Sequence, residues 1–327
     1  MAIILVVLGV CQSDYSSGSE WRCLEEGEEA GFYDKLDDFK LSGIPEEYPL
    51  KVIVRDKETK EDVNNIVIDN IFENYRPVEL HDCGVYVVKL FNYDPKKTKQ
   101  NIGYKDEFWK YDYSGKGKSL ILLSEKPDEY VSYYGPVFRV DPLERYVVLE
   151  KGHSDKEYYA LVIKDLETKE DVFILDYREM LKNYPELLGG FGMKEWTRDG
   201  RYFFGDIFYG ANVSAYFRID TETWTYEIFD VPEGQMGGDQ LNVETGWVTN
   251  HTGTFWTGEY DSTKSIEAKM RSQGIGTKFY LYNLLTKEKI LVYETDEPNW
   301  YTKPQWLSET EVEYELPSGE KRVYELK

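Results

Sequence analysis

The pentapeptide Glu-Thr-Lys-Glu-Asp occurs twice in this chain of 327 residues, at 58–62 and at 167–171. Each copy stands between two runs in which apolar and polar residues alternate, and a period of two is typical of β-strands. The pentapeptide therefore predicts a repeated hairpin turn. Looser copies of the same strand-turn-strand pattern begin at Phe108, Tyr216, Phe279 and Val312.

A second signal, a tight turn followed by an apolar strand, precedes these hairpins. Its clearest copy is Glu195-Trp-Thr-Arg-Asp-Gly-Arg-Tyr-Phe-Phe-Gly205, in which Asp199-Gly200 supplies the positive φ that a tight turn requires. Strand, turn, strand and hairpin together make a unit of four antiparallel strands. Such units recur at a spacing of roughly 50 residues, which is typical of propeller architectures.

The order of these signals resembles the WD40-like propeller repeats of the TolB type and of the propeller domains in prolyl oligopeptidase-like enzymes. Glu195–Gly205 followed by Tyr216–Asp230 carries one copy, and Pro136–Glu150 followed by Tyr159–Asp176 carries another. The resemblance covers residues 75–327. It implies an architecture and leaves the function open, because these blades serve many unrelated proteins.

We therefore predict an all-β fold, a β-propeller of five four-stranded antiparallel blades with short helical insertions. Turn signals near residues 83, 143, 199, 245 and 309 mark the five units, and the last unit ends after three strands. The hairpin Lys51–Asp69 could complete that last blade, because closed propellers avoid unpaired edges, or it could form a sixth blade. Helical spacing of apolar residues predicts the insertions at 177–188 and 264–273.

The N-terminus begins with an apolar run at residues 3–10, which has the length of an export signal and is too short to span a bilayer. Leu8-Gly-Val-Cys11 resembles the lipobox of bacterial lipoproteins, in which the cysteine is diacylated, although Val10 stands where a smaller residue is usual. We predict a signal at 1–11, an acidic flexible tether at 12–49 and the propeller at 50–327. A cleaved signal and a buried N-terminal strand are the alternatives.

The formal net charge of −22 produces a field that repels phosphate backbones and anionic bilayers. We expect no nucleic-acid partner, and membrane contact only through a lipid on Cys11. Three cysteines, at positions 11, 23 and 83, are an odd number, which argues against a disulfide scaffold. Cys83 is expected to be a small apolar filler at the start of a strand.

Known catalytic patterns are missing from the sequence: it contains no G-x-S-x-G, G-x-G-x-x-G, P-loop or H-E-x-x-H motif. We therefore predict no catalytic residue, no metal ligand and no cofactor. Aromatic side chains near strand ends remain as candidate binding residues, because their rings can stack on a sugar or cap an apolar partner. These candidates are Tyr133, Tyr134, Trp247, Trp256, Trp300 and Tyr301.

Together these observations favour a monomeric, non-catalytic propeller that is exported to the cell envelope or periplasm, and that binds a protein or carbohydrate partner through its loop face. The alternative is an extracytoplasmic hydrolase or lyase that acts on glycans or peptides with a carboxylate site in the central channel. A structural module of a surface assembly is a third reading. A cluster of buried carboxylates, His or Arg at the loop side would favour the enzyme.

Overall fold

The structure is a computed structural model that describes residues 21–32, 47–72, 78–91, 105–123, 129–130, 138–153, 158–184, 190–209, 212–231, 240–251, 274, 276–298 and 302–327. Within these ranges the chain forms 23 β-strands, one α-helix and six antiparallel sheets, here numbered I to VI. The chain divides into two compact units, residues 1–130 with 164–170 and residues 131–163 with 171–327.

Sheets I and II belong to the first unit. Sheet I has the order β1 (Glu28–Phe32), β2 (Glu47–Asp56), β3 (Asp62–Phe72), and sheet II the order β4 (Val78–His81), β5 (Gly84–Phe91), β6 (Lys105–Tyr111), β7 (Lys118–Leu123). Alternate residues of these strands build one apolar cluster, which contains Val52, Val54, Ile66, Ile68, Val85 and Val87.

Four further sheets follow along the chain. Sheet III contains β8 (Glu129–Tyr130), β9 (Phe138–Val140), β10 (Tyr146–His153), β11 (Tyr158–Asp165) and β12 (Asp171–Asp176), and β9 pairs with β10. Helix α1 (Tyr177–Asn183) comes next. Sheet IV has the order β13 (Gly190–Trp196), β14 (Tyr202–Tyr209), β15 (Asn212–Asp220), β16 (Thr225–Asp230). Sheet V has β17 (Leu241–Asn242), β18 (Trp247–His251), β19 (Thr277–Asn283) and β20 (Lys289–Thr295), and sheet VI has β21 (Gln305–Trp306), β22 (Glu311–Glu315) and β23 (Lys321–Glu325).

Successive sheets of the second unit pack through apolar clusters. Because neighbouring residues of a strand point to opposite faces, Phe203 packs with Val148 of sheet III, whereas Phe204 packs with Val248 of sheet V. Phe279 of sheet V packs in turn against Tyr314 of sheet VI, with ring centroids 5.0 Å apart. Each sheet is therefore covered by apolar contacts from its neighbours.

The observed sheets confirm the predicted all-β fold and decide the blade count. The hairpin Lys51–Asp69 is part of β2 and β3, which form sheet I together with β1. Six sheets are therefore present in the described residues, as in the six-blade alternative, and the last of them has three strands as predicted. Helix α1 confirms the first predicted insertion; residues 264–273 lie outside the described residues.

The turn that contains the repeated pentapeptide begins two residues before it, at Asp56 in the first copy and at Asp165 in the second. Asp56 Oδ1 accepts hydrogen bonds from the backbone N–H groups of Glu58 (2.9 Å) and Thr59 (2.7 Å). Lys60 then adopts a φ of 60°, and its N–H donates to Asp56 O at 3.0 Å. The same arrangement recurs in the turns that begin at Asp165 and Asn283 and end at Lys169 and Lys287. The pentapeptide is therefore turn chemistry, as its relatives in the sequence indicate.

The turns β4–β5, β9–β10, β13–β14, β17–β18 and β21–β22 are here called inner turns, and those of the second unit link its sheets. Each link joins one inner turn to the inner turn of a following sheet through a backbone group. The contacts are Arg145 Nη2 to Gly200 O (3.0 Å), Arg198 N to Glu244 Oε1 (2.6 Å), and Asn242 Nδ2 to Ser308 O and Glu309 O (both 3.2 Å). A row of polar contacts therefore runs from sheet III to sheet VI at this end.

Two tryptophans that precede inner turns make an equivalent contact with the sheet before them. The indole N–H of Trp196 donates to Arg139 O at 3.1 Å, and that of Trp306 donates to Gln240 O at 3.2 Å. Each indole thus satisfies a backbone carbonyl on, or directly before, the strand that leads into the inner turn of the preceding sheet. This contact gives a physical reason for the tryptophan in the repeated sequence pattern.

A disulfide between Cys23 and Cys83 corrects the expectation that the cysteines are unpaired. The segment of residues 21–25, here called the N-terminal strap, lies on the turn between β4 and β5: Leu24 N donates to Asp82 O at 2.7 Å, and Trp21 Nε1 donates to Cys83 O at 2.9 Å. The number of cysteines did not reveal this bond, because Cys83 is 60 residues from its partner in the sequence and only the fold brings the two together.

Part of the predicted tether is also structured, which corrects its boundary. β1 (Glu28–Phe32) and the start of β2 fall within residues 12–49; β1 pairs with Val52–Asp56 of β2, and the start of β2 pairs with the end of β3. Arg22 holds the strap in place, because its Nη2 lies 2.6 Å from Glu28 Oε1 and its backbone N–H donates to the buried Asp112 carboxylate at 3.1 Å. Cys11 lies outside the described residues. Among the helices of the described residues, none has the length and apolar character needed to cross a membrane.

The disulfide predicts a redox-dependent stability. Cys83→Ser, or reduction of the wild type, should lower the free energy of unfolding by about 2–4 kcal/mol, because the 60-residue loop regains its freedom in the unfolded chain. Thermal denaturation with and without dithiothreitol measures the difference. Cys11→Ser is the matched control and should keep the wild-type melting temperature; an equal effect of both substitutions would contradict the prediction.

Candidate functional site

The two ends of the sheets differ in the connections that they carry. In sheets II to V, the inner turns and the hairpins between the third and fourth strands lie at one end, here called the turn end, because the strands are antiparallel. The opposite end, the loop end, receives the second-to-third connections and the links between sheets. In the sequence, residues 92–104 separate β5 from β6 and residues 252–276 separate β18 from β19; in the described residues, helix α1 follows the last strand of sheet III at this end.

Titratable residues recur near the loop end at one position of the second strands. Tyr146, Tyr202, Trp247 and Glu311 close the inner turns of sheets III to VI by pairing with the first strand. The residues four positions later, about 13 Å along each strand, are here called the loop-end row. Its members are Glu150, Asp206, His251 and Glu315.

Asp206 is the best-defined member of the loop-end row. Its Oδ2 lies 2.7 Å from Lys194 Nζ, and the side chains are 7% and 27% exposed respectively. Gly192 faces Asp206 across the strand pair, and a Cβ at Gly192 would collide with Asp206 Oδ1. The glycine therefore makes room for the carboxylate. An ion pair this far from water is stable only where its geometry is good, so the position of Asp206 is tightly constrained.

A similar pair occurs at the row position of sheet VI. Glu315 Oε1 and Oε2 lie 2.9 and 3.0 Å from Lys303 Nζ, and the Glu315 N–H donates to Thr302 O at 2.7 Å. This pair is more open than the first, because the Lys303 side chain is 62% exposed. Burial raises the pKa of the neighbouring Tyr314, whose ring packs against Phe279. That phenol therefore stays neutral at physiological pH.

Arg139 connects the row to sheet III. Its Nε donates to Lys194 O at 3.0 Å and lies 3.9 Å from Glu195 Oε2. Arg139 pairs with Val148 across the strands, and Glu150 lies two residues farther along β10 on the same face. Arg139 and Glu150 therefore lie on the face of sheet III that packs against sheet IV, where Arg139 reaches the backbone of Lys194.

Chemically, this arrangement offers donors and acceptors to a polar ligand. Lys194 and Arg139 are cations in a chain of net charge −22, and Asp206 and Glu150 are nearly buried carboxylates at 5% and 7% residue exposure. Hydrogen bonds in such a site are stronger than in water, which is what orients a bound ligand. In the described residues no group of three or more His, Cys, Asp and Glu side chains is arranged to hold a metal ion.

Of the six aromatic residues predicted as binding candidates, the described residues contain one, Trp247. Trp247 is at the turn end of sheet V, where it is partly buried against the cluster of Phe279 and Leu281. Its ring therefore contributes to packing between sheets. Five of the six candidates lie outside the described residues: Tyr133, Tyr134, Trp256, Trp300 and Tyr301.

The loop-end row was not predicted from the sequence. A chain with 61 Asp and Glu residues contains so many carboxylates that no single one stands out. An alignment of the second strands on their inner turns would have found the row, because Glu150, Asp206 and Glu315 then occupy one column. Lys194 and Gly192 would have remained undetected, since their role depends on a contact across strands.

Comparison with solved structures shows the fold. The chain is similar to an oligogalacturonate lyase from Vibrio parahaemolyticus, with 12% identity, 85% of this chain and 73% of that chain covered, and a TM-score of 0.51. It is also similar to the β-propeller domain of the Trilobed protease from Pyrococcus furiosus (11% identity, 92% and 79% covered, TM-score 0.47) and to the tricorn protease (10% identity, 93% and 29% covered, TM-score 0.45). The chain thus spans less than a third of the tricorn protease.

No protein-family model matches the sequence, and no curated protein matches it. The likeness to solved structures nevertheless confirms, at the level of fold, the resemblance to TolB-type and prolyl oligopeptidase-type propellers. With its six sheets of antiparallel strands, the chain has the fold of a β-propeller.

Gly192 provides a test of the site's geometry. Gly192→Ala should displace the Asp206 carboxylate from Lys194 and destabilise the fold by about 1–3 kcal/mol, because the added methyl group overpacks a filled position. Gly31→Ala in β1 is the matched control, since a Cβ there has no heavy atom within 4 Å. Urea denaturation of both variants measures the effect, and equal stability of the two would show that Asp206 is not confined in this way.

Proposed function

We propose that the protein is an exported β-propeller that binds a protein or carbohydrate partner through the loop end of its sheets. The observation that supports this most strongly is the difference between the two ends. Short turns at the turn end satisfy their own backbone groups and those of the next sheet, which leaves little room for variation. Long stretches of sequence join strands that end at the loop end, and binding residues in repeat folds are usually found on such a face.

Export is supported by the disulfide, because such bonds persist in oxidising compartments and are rare in the cytosol. With Cys23 and Cys83 paired, Cys11 is left without an intrachain cysteine partner in a sequence that has three cysteines. We include a diacylglycerol on Cys11, in the cell envelope or periplasm, in the proposal. Intact-mass analysis of protein from its native envelope tests this part, and a mass without the lipid would remove the anchor.

The charge of the chain restricts the class of partner. A net charge of −22 opposes nucleic acid and anionic membrane surfaces, and it favours neutral or basic partners. The proposed protein acts as a monomer, without a cofactor. Its membrane contact is the lipid anchor.

Site-specific photo-crosslinking tests the binding face. Benzoylphenylalanine replaces either Tyr209, at the loop end of sheet IV, or Glu222, in the exposed turn between β15 and β16 of the same sheet. After irradiation in intact envelopes, we expect a discrete adduct from position 209 that excess wild-type protein abolishes, and no such adduct from position 222. Equal labelling from both positions, or no competed adduct from position 209, would argue against the proposed face.

An enzyme that acts on glycans or peptides is the second candidate. The pair of Asp206 and Lys194 supports it, because a nearly buried carboxylate beside a cation is a feature of polar reaction sites. The structural neighbour from Vibrio parahaemolyticus is a lyase for oligogalacturonate, although the likeness itself extends to the fold alone. Mass spectrometry of oligosaccharides incubated with the protein distinguishes the two candidate functions. Fragments that the wild type makes and Asp206→Asn does not make favour the enzyme. Intact saccharides favour binding.

A further inference from the structure

Asn250, in the second strand of sheet V, has a buried side-chain amide whose nitrogen lacks a hydrogen-bond partner in the described residues. The residue is 2% exposed, and its Nδ2 has no hydrogen-bond partner. Most buried polar groups are hydrogen-bonded, because an unpaired one loses its water without compensation. Four side-chain atoms in the described residues are buried and unpaired in this way: Arg201 Nε, Thr245 Oγ1, Thr302 Oγ1 and Asn250 Nδ2. The amide nitrogen differs from the others because it carries two donors.

Asn250 points into the space between sheets IV and V. It lies two residues after Val248 on β18, so both side chains are on the same face of the strand, and Val248 packs with Phe204 and Tyr216 of sheet IV. Asp206 enters the same space from the other side, because it pairs directly with Tyr216 on the face that also carries Phe204. Asn250 therefore points toward sheet IV and Asp206 toward sheet V. Both side chains enter the space between these two sheets, here called the gap.

Lys194 adds a second donor on the same side. Its Nζ is 2.7 Å from Asp206 Oδ2, and its side chain is 27% exposed, so this edge of the gap faces solvent. The gap thus combines a carboxylate that accepts, an ammonium that donates and an amide that donates. Sheet VI lacks this combination, because Tyr314 occupies the position that corresponds to Asn250.

We propose that the gap is a subsite for a neutral saccharide, in which Asp206, Lys194 and Asn250 bind two adjacent hydroxyl groups. This inference rests on the proposed binding function and names its ligand class. Each sugar hydroxyl donates one hydrogen bond and accepts others, so a vicinal diol uses an acceptor and donors placed side by side. One hydroxyl donates to Asp206 and accepts from Lys194; its neighbour accepts from Asn250 Nδ2. The diol enters from the exposed Lys194 side.

A charged ligand fits this subsite less well. A ligand carboxylate would approach Asp206 in a chain of net charge −22, and like charges disfavour such contacts. An ammonium ligand would compete with Lys194, which already occupies Asp206 at ion-pair distance. A neutral diol inserts between these groups without adding charge.

Isothermal titration with soluble tetrasaccharides tests the proposal. The probes are cellotetraose, xylotetraose, mannotetraose and, as the charged comparison, tetragalacturonate. We expect at least one neutral tetrasaccharide to bind and tetragalacturonate to bind at least tenfold more weakly. Asn250→Leu and Lys194→Met should each weaken the neutral ligand at least tenfold, because a site built to hydrogen-bond hydroxyls loses strongly when one partner is removed. Lys321→Met, at the exposed pair with Glu313, is the matched control and should bind as the wild type.

Thermal denaturation of each variant separates lost binding from lost folding. Asn250→Leu replaces an unpaired amide by an apolar group of similar size, so its melting temperature should equal or exceed that of the wild type. If Asn250→Leu fails to fold, Lys194→Met alone decides, because that side chain is partly exposed.

Several results would overturn the saccharide subsite: no binding of any neutral tetrasaccharide, a preference for tetragalacturonate, or neutral binding that both Asn250→Leu and Lys194→Met leave unchanged. A competed crosslink from position 209 together with any of these results would leave the proposed loop-end function standing and remove the saccharide subsite. Loss of that crosslink would count against the function itself.

Discussion

Backbone polar groups that leave water need partners, and in this chain a few side chains in the inner turns supply them. The fully buried Asp141 carboxylate accepts the N–H groups of Arg145 and Tyr146 and pairs with Arg145 Nε at 3.0 Å. Arg145 then reaches Gly200 O in the next sheet. One carboxylate thereby fixes the turn, the start of the second strand and the register between sheets. Because the turn end is satisfied in this way, variation is left to the loop end.

Local patterns were enough to predict most strands, whereas contacts distant in sequence were not predictable. Alternation and the Asp-Gly turn mark β13 and β14 because turn chemistry and strand period are properties of a short segment. Glu28–Phe32 shows no such alternation, and it becomes a strand because β2 pairs with it. The Cys23–Cys83 bond depends on where the strap lies, which residue counting does not reveal.

The candidate site illustrates the same limit. Trp247 attracts attention in the sequence because large aromatic rings often bind ligands, yet its position beside the inner turn directs it into packing between sheets. Asp206 is one carboxylate among many in sequence, and its significance comes from Gly192, Lys194 and the adjacent sheet. Residue type alone therefore singled out a ring that packs between sheets, and strand register singled out the carboxylate.

The N-terminal strap would also limit how far the propeller stands from a membrane under the proposed lipid anchor. If Cys11 carries a lipid, the tether can extend no farther than Cys23, where the disulfide fastens the chain to the turn between β4 and β5. A fully extended segment from Cys11 to Cys23 spans at most about 40 Å. A tether that continued to residue 49 would allow roughly three times that reach. With a lipid on Cys11, the disulfide would therefore confine the protein to the layer next to the bilayer, where partners on the same surface would be its nearest neighbours.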